Sequence, residues 1–245
     1  MTLFILLPAY NEADNLPYLF DGIISLSQDF PLKISTILVD DGSSDNTRSI
    51  VEGFKGILNL EVLTHEKNMG LGGALKTGLF YIKQIIKKDD VLVIMDADNS
   101  HSPQYIPELH EKLKEGYDVV IASRFVSGGQ TFGVPLYRRI ITKMASFTFR
   151  IFFPGSKVLD FTCGYRAYSG ECIIKFINHY GESIITDESF SSMAEICLKI
   201  LTIGGKISEV PFELHYEKKK GRSKMPFIRT IYNILKLLFK IKLRK

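Results

Sequence analysis

The stretch Val91-Leu92-Val93-Ile94-Met95-Asp96-Ala97-Asp98 restricts the possible folds more than any other part of the sequence. Its apolar run has no polar face, so it reads as a strand covered on both sides, as in the parallel sheet of an α/β protein. The run ends in two carboxylates spaced one residue apart. Open α/β sheets bind their ligands at the carboxyl ends of such strands. Two acids there can share a divalent cation, and a cation held by so few carboxylates usually also holds phosphates. One such pair is a weak signal, because acids also cap strands without chemistry. A second acidic strand end, Ile37-Leu38-Val39-Asp40-Asp41-Gly42-Ser43-Ser44-Asp45, makes the functional reading the stronger one.

The pattern recurs along the first half. Strands are expected at 2–7, 34–39, 58–63, 91–95 and 119–122, alternating with helices at 14–28, 45–54, 71–86 and 103–115. The helix at 45–54 would be capped near Ser44 or Asp45. The second half is less regular, with helices at 136–152, 170–177 and 188–201 and a strand at 206–211. This rhythm predicts an α/β fold, a mostly parallel central sheet flanked by helices on both faces. At 245 residues, 45% of them hydrophobic and 24% charged, the chain suits one catalytic domain, expected over 1–225, followed by a distinct segment at 226–245.

The net charge of +4 conceals an asymmetry. Residues 217–245 hold eleven Lys/Arg and one acid, +10, which leaves −6 for the rest. A basic end on an acidic body points to an anionic partner. Within it, residues 226–243 read as an amphipathic helix whose polar stripe is Arg229, Asn233, Lys236 and Lys240. Such a helix either packs on the body or lies in a membrane interface with its lysines near lipid headgroups. Nucleic acid is not expected, because the residues between the charges are aliphatic rather than stacking aromatics. No stretch reaches the roughly eighteen uninterrupted apolar residues of a spanning helix, and no signal peptide is visible before the first strand. The expectation is a cytoplasmic chain, peripheral to the cytoplasmic face of a membrane, with a membrane-protein partner as a further route to the surface. Cys163, Cys172 and Cys197 lack zinc-site spacing and read as reduced thiols, and the five histidines form no His-Glu-x-x-His pattern.

Four motifs converge on a nucleoside diphosphate. In Leu7-Pro8-Ala9-Tyr10-Asn11-Glu12 the proline and the polar run stop the first strand. Tyr10 can then stack on a base, and Glu12 can accept from base or ribose. In the second acidic strand end, the turn after Asp40-Asp41 opens backbone N–H groups, and Asp41 is placed to accept from a nucleobase or ribose. The glycines of Asn68-Met69-Gly70-Leu71-Gly72-Gly73 miss the dinucleotide fingerprint, which needs glycine where Leu75 stands. The chain also lacks the phosphate loop of ATPases, so these glycines read as close-packing positions. In Asp96-Ala97-Asp98, a bound Mg2+ or Mn2+ would stabilise a departing diphosphate.

Together, Pro8-Ala9-Tyr10-Asn11-Glu12, the 39–47 segment, Asn68-x-Gly70 and Asp96-Ala97-Asp98 resemble the family-two inverting glycosyltransferases. Ala122-Ser123-Arg124-Phe125, Pro135-Leu136-x-Arg138, Asp160 to Tyr168 and Gly221-Arg222-Ser223-Lys224 resemble the dolichyl-phosphate mannosyltransferase branch of that family. The resemblance implies a GT-A fold and sugar transfer from a GDP- or UDP-sugar to a polyprenyl phosphate. It implies donor contacts at Pro8, Tyr10, Glu12, Val39, Asp41, Asp96 and Ala97, and metal ligation by Asp96 and Asp98. It also implies acceptor-phosphate contacts at Arg124 and Arg138, with Ser223 and Lys224 closing over the diphosphate. Two positions depart from the family pattern. Ser100 stands where relatives often carry a Gln metal ligand and would act through water. Lys218 stands where they carry Arg, keeping the charge without the two-pronged contact. A phosphate acceptor needs no strong general base; a hydroxyl acceptor on a glycan or glycolipid would, with Asp187 or Glu188 as candidates. Those two acids equally suit the first turn of the helix at 188–201. A nucleotide-sugar-binding subunit without activity is the non-enzymatic alternative.

Overall fold

The strand β1 (Thr2–Ala9) lies inside the molecule because neither of its faces is polar: Leu3, Phe4, Ile5, Leu6 and Leu7 are all buried. In the computed structural model, which describes residues 1–153, 155–187 and 191–221, eight further strands follow. They are β2 (Lys33–Asp40), β3 (Leu60–Thr64), β4 (Val91–Ile94), β5 (Val119–Ser123), β6 (Gln130–Phe132), β7 (Arg166–Ser169), β8 (Ile207–Pro211) and β9 (Glu213–His215). The helices are α1 (Leu16–Asp29), α2 (Thr47–Phe54), α3 (Gly70–Lys83), α4 (Ile106–Lys114), α5 (Leu136–Phe152), α6 (Gly170–Tyr180) and α7 (Ser192–Thr202). The main sheet runs β3-β2-β1-β4-β7-β5-β8, and β6 pairs with β9 in a separate two-stranded sheet. All pairs in the main sheet are parallel except those made by β7, which runs antiparallel to β4 and β5.

The strand order reverses at β1. Its neighbours β2 and β4 carry connections that leave in opposite directions, which opens a crevice at the carboxyl edge between them. Helices α1 and α2 contact each other, and the end of α1 meets α4 through Phe30 and His110, ring centroids 5.4 Å apart. Helices α3, α6 and α7 form the other contacting group. The sheet is thus sandwiched as the alternation of elements predicts.

The expected strands of the first half are all present, with ends shifted by at most two residues. Three strands are not in the sequence reading: β7, inserted in the main sheet, and the short pair β6 and β9. The expected helix at 103–115 divides into a 3-10 turn, Pro103–Tyr105, and α4. Pro107 lacks an N–H to donate, so the α-helix has to begin within a turn of it. Helix α2 begins at Thr47; no side chain at its N-cap position bonds back, and Asp45 instead accepts from the Thr47 amide at 2.9 Å. Ser223, Lys224, Glu188 and the expected helix at 226–243 lie outside the described residues.

Candidate functional site

The loops after β1 and β2 are clipped together. Asn11 has a left-handed backbone (φ 53), and its side-chain oxygen accepts from the Ser44 amide at 2.7 Å. In return the Ser43 hydroxyl accepts from the Asn11 amide at 2.9 Å, and the Thr47 hydroxyl from the Glu12 amide at 2.8 Å. Gly42 (φ +72) crosses the 67–68 backbone so closely that a Cβ would meet Lys67 and Asn68. The third motif is therefore packed against the second. Asp41, 3% exposed, accepts on one oxygen from the Met69 amide (2.8 Å) and faces His65 Nδ1 at 2.7 Å. His65 Nε2 in turn meets the Thr77 hydroxyl at 2.9 Å, so a chain of three side chains fixes the Asp41 carboxylate.

At the end of β4, Asp98 has both oxygens engaged. Oδ1 accepts from the Ser100 hydroxyl (2.5 Å) and amide (3.1 Å), and Oδ2 meets the Lys219 ammonium at 2.5 Å. Asp96 is the more open acid, its side chain 40% exposed and 3.8 Å from Nε2 of the buried His101. His101 Nδ1 accepts from the Asp96 amide at 3.0 Å, which assigns the ring proton to Nε2, facing the carboxylate. The two acids diverge electrostatically. Burial raises the Asp96 carboxyl, with the Asp98 charge adding to it and His101, Lys219 and Arg124 opposing. Burial also works to raise Asp98, but the Lys219 charge, His101 and the hydrogen bonds from Lys219 and Ser100 outweigh it and hold Asp98 below its ordinary value. A seat that already carries an ammonium on a carboxylate oxygen fits a cation. Among the described residues no third acid, His or Cys joins Asp96 and Asp98 in a cage.

Arg124 leaves the end of β5 and is clamped by Asp160. Nε and Nη2 each meet a carboxylate oxygen at 2.8 Å, and Nη2 also donates to the Thr162 hydroxyl at 2.9 Å. Arg138, in the first turn of α5, donates from Nη1 to the Tyr216 hydroxyl at 2.8 Å and lies 5.1 Å from that ring's centre. Between β6 and α5 is a cavity of about 130 Å³ lined by Arg124, Thr131, Arg139, Thr142 and Lys143 among others. Arg139 and Lys143 bring positive charge to this space, the Arg124 charge is paired with Asp160, and Phe125 and Val134 contribute apolar lining. On the outside of α5, Leu136, Tyr137, Ile140, Met144, Phe147 and Ile151 are between 50% and 69% exposed. Residues 137, 140, 144, 147 and 151 alternate spacings of three and four, a single apolar stripe.

The structure thus gathers Pro8, Tyr10, Glu12, Asp41, Asp96, Asp98 and Arg124 at one sheet edge. Val39 and Ala97 have buried side chains, 0% and 2% exposed, and offer a ligand only backbone. Ser100 donates its hydroxyl to Asp98 Oδ1 at 2.5 Å and so stands directly beside that carboxylate. The lysine that reaches Asp98 is Lys219, while Lys218 is exposed. Asp187 precedes α7 and accepts from the Ser191 hydroxyl at 2.6 Å, and the first-turn acid of α7 is Glu195. The macrodipole reading of Asp187 therefore fails on register. The sequence reading missed His65, His101, Asp160, Arg139, Lys143 and Lys219. Asp160 opens the 160–168 segment without a side-chain pattern that predicts a role, and Lys219 is one of three consecutive lysines that no pattern separates. All three cysteines are buried and free, and burial pushes the Cys163 thiol up to about 12.

A dolichol-phosphate mannosyltransferase of Pyrococcus furiosus is 32% identical over 96% of the chain, which spans 64% of that protein's length. A polyprenol monophosphomannose synthase of Mycolicibacterium smegmatis is 29% identical over 97% of the chain and 84% of its own length. An undecaprenyl-phosphate mannosyltransferase of Micrococcus luteus is 30% identical over 92% and 88%. Among solved structures, glucosyl-3-phosphoglycerate synthase of Mycobacterium tuberculosis, in complex with Mn2+, UDP and glucosyl-3-phosphoglycerate, superimposes with a TM-score of 0.72 at 20% identity, covering 98% of this chain and 79% of that one. That likeness establishes the GT-A fold. Residues 4–175 match the family described as Glycosyl transferase family 2, so the chain belongs to that family and is a glycosyltransferase.

Proposed function

We propose that the chain transfers a sugar from a nucleoside-diphosphate donor to a polyprenyl phosphate, with inversion at the anomeric carbon and with Mg2+ or Mn2+ as cofactor. The observation that carries this reading is helix α5. Arg139, Thr142 and Lys143 face a small cavity next to Arg124, and the adjoining face of the helix exposes an apolar stripe. A ligand with a phosphate head and a long apolar chain needs both features side by side. The names of the relatives from P. furiosus, M. smegmatis and M. luteus all specify mannose transfer to such lipids. The M. tuberculosis neighbour, crystallised with Mn2+ and UDP, supports the metal and the diphosphate.

In the mechanism, Asp41, Tyr10 and Glu12 bind the nucleoside, and Asp96 and Asp98 hold the cation. A bound Mg2+ or Mn2+ supplies Lewis-acid stabilisation of the charge on the departing diphosphate. Arg124 and Arg138 orient the acceptor phosphate; Arg124 is rigid because Asp160 fixes its plane. An anionic acceptor oxygen donates its electron pair to the anomeric carbon, and the bond to the diphosphate breaks with its pair on the leaving group. No proton has to move, so no general base is required. The same reading puts the chain at the cytoplasmic face of a membrane, with the α5 stripe in the interface and segment 226–245 as a second docking element.

The test is release of nucleoside diphosphate from a panel of nucleotide sugars, GDP-mannose and UDP-glucose included, with and without a short polyprenyl phosphate. Release that depends on the lipid phosphate is expected. Asp98→Asn should reduce it by about a hundredfold or more while leaving circular dichroism unchanged, since each ~1.4 kcal/mol of lost transition-state stabilisation is tenfold. Release stimulated only by hydroxyl acceptors would replace this reading and make Asp187 the residue to test.

A further inference from the structure

We propose that Lys219 competes with the divalent cation for Asp98, which it contacts directly, and moves onto the diphosphate when metal and nucleotide bind together. This rests on the metal and donor reading above. With Oδ1 of Asp98 taken by Ser100, the remaining oxygen carries the Lys219 ammonium at 2.5 Å. A divalent cation cannot take that oxygen while the ammonium stays, because the two like charges would stand within a few ångströms in a site where the lysine side chain is only 11% exposed.

The lysine is delivered by a built strap. The Asn15 side chain bonds the next residue in both directions, donating to the Lys220 carbonyl at 3.2 Å and accepting from its amide at 2.8 Å. Lys220 Nζ donates to the Tyr18 hydroxyl at 3.0 Å and lies over that ring, 4.5 Å from its centre. Asn15 also donates to Glu12 at 2.6 Å. Glu12 belongs to the loop read as nucleotide-binding, so the strap is anchored on the element that a donor would contact. The Tyr216 ring lies near both Lys219 (5.9 Å) and Arg138 (5.1 Å), placing one aromatic between the donor lysine and the acceptor arginine. Lysine suits the transfer: its point charge on a flexible stem can exchange a carboxylate for a phosphate oxygen without a fixed planar geometry. The consequence is that metal alone binds weakly, and metal and diphosphate bind as a pair.

The experiment measures Mn2+ binding to the full chain by electron paramagnetic resonance, first without nucleotide. Lys219→Gln should bind Mn2+ about tenfold or more tightly than wild type, the effect of removing a like charge from beside the ion. Lys219→Arg, which keeps the charge, should stay near wild type. With Mn2+ saturating, Lys219→Gln should bind UDP or GDP several-fold more weakly, as the diphosphate loses a cationic partner. Unchanged or weaker Mn2+ binding by Lys219→Gln overturns the proposal. If adding Asp98→Asn to Lys219→Gln leaves Mn2+ binding intact, the metal assignment itself is wrong and the proposal falls with it. Because this readout uses neither sugar nor acceptor, it is independent of the outcome with polyprenyl phosphate.

Discussion

Asp160 is fully buried, and its two oxygens hold Arg124 in one plane. Burial alone would raise this carboxyl; the Arg124 charge and its hydrogen bonds outweigh that and hold it below its ordinary value. A carboxyl depressed in the folded state contributes stability that is fully present above its unfolded pKa, about 3.9, and is lost as pH falls through the folded value. We therefore expect Asp160→Asn to lose about 3–5 kcal/mol in denaturant unfolding near neutral pH, because it strands a guanidinium. The gap from wild type should be flat between pH 5 and 8, by the same titration argument, and should narrow below about pH 4. A gap that persists unchanged in acid would mean that Asp160 is not the charged partner. At this scale, the sequence revealed groups whose chemistry is unusual for their place, such as paired acids and an arginine at strand ends. It did not reveal their partners. Asp160 lies 36 residues from Arg124, and Lys219 lies 121 from Asp98, so only the assembled fold brings each pair together.

Helix α3 places Gly78 where it crosses β1. A Cβ on Gly78 would collide with the Leu6 side chain, its second methyl at 2.9 Å, and Leu6 is itself fully buried. Alanine is the better helix former by about 1 kcal/mol, but overpacking a filled core costs about 1–3 kcal/mol. Gly78→Ala should accordingly lower the thermal midpoint. A raised midpoint would mean that Leu6 yields and propensity wins. The glycines were legible as packing positions, and the parallel strands were legible because a strand covered on both faces must be apolar throughout. Strand β7 was not. It begins at Arg166, 0% exposed, whose guanidinium donates to the carbonyls of Cys163 (2.9 Å), Met193 (2.6 Å) and Phe161 (2.7 Å). A charged residue in the middle of a sheet is stable only with those acceptors, and they come from two other segments. The pair β6 and β9 escaped for a different reason: three residues each, partly exposed, are too short for a period.

Across the whole molecule, the proposed function divides donor and acceptor chemistry between the two halves of the sheet, β1, β2 and β4 on one side and β5 with α5 on the other. The acceptor half therefore has to face wherever the acceptor resides. On a lipid-linked acceptor, the α5 stripe should enter the interface while Arg150, exposed on the same helix, meets headgroups. Fully burying a side chain of this kind contributes about 1.5–3 kcal/mol, against about 1 kcal/mol for each basic residue near an anionic leaflet. The apolar part should thus dominate and survive salt, and the basic part should be screened. Replacing Ile140, Met144 and Phe147 together with Ser should leave unfolding within about 0.5 kcal/mol for each exposed position, yet weaken cosedimentation with anionic vesicles by about a hundredfold or more. Transfer to a long polyprenyl phosphate in vesicles should fall with it, whereas transfer to a short, water-soluble one should be preserved, because none of the three residues lines the cavity beside Arg124. Equal loss on both acceptors would place these three residues in the catalytic site, and unaltered vesicle binding would remove α5 from the membrane surface.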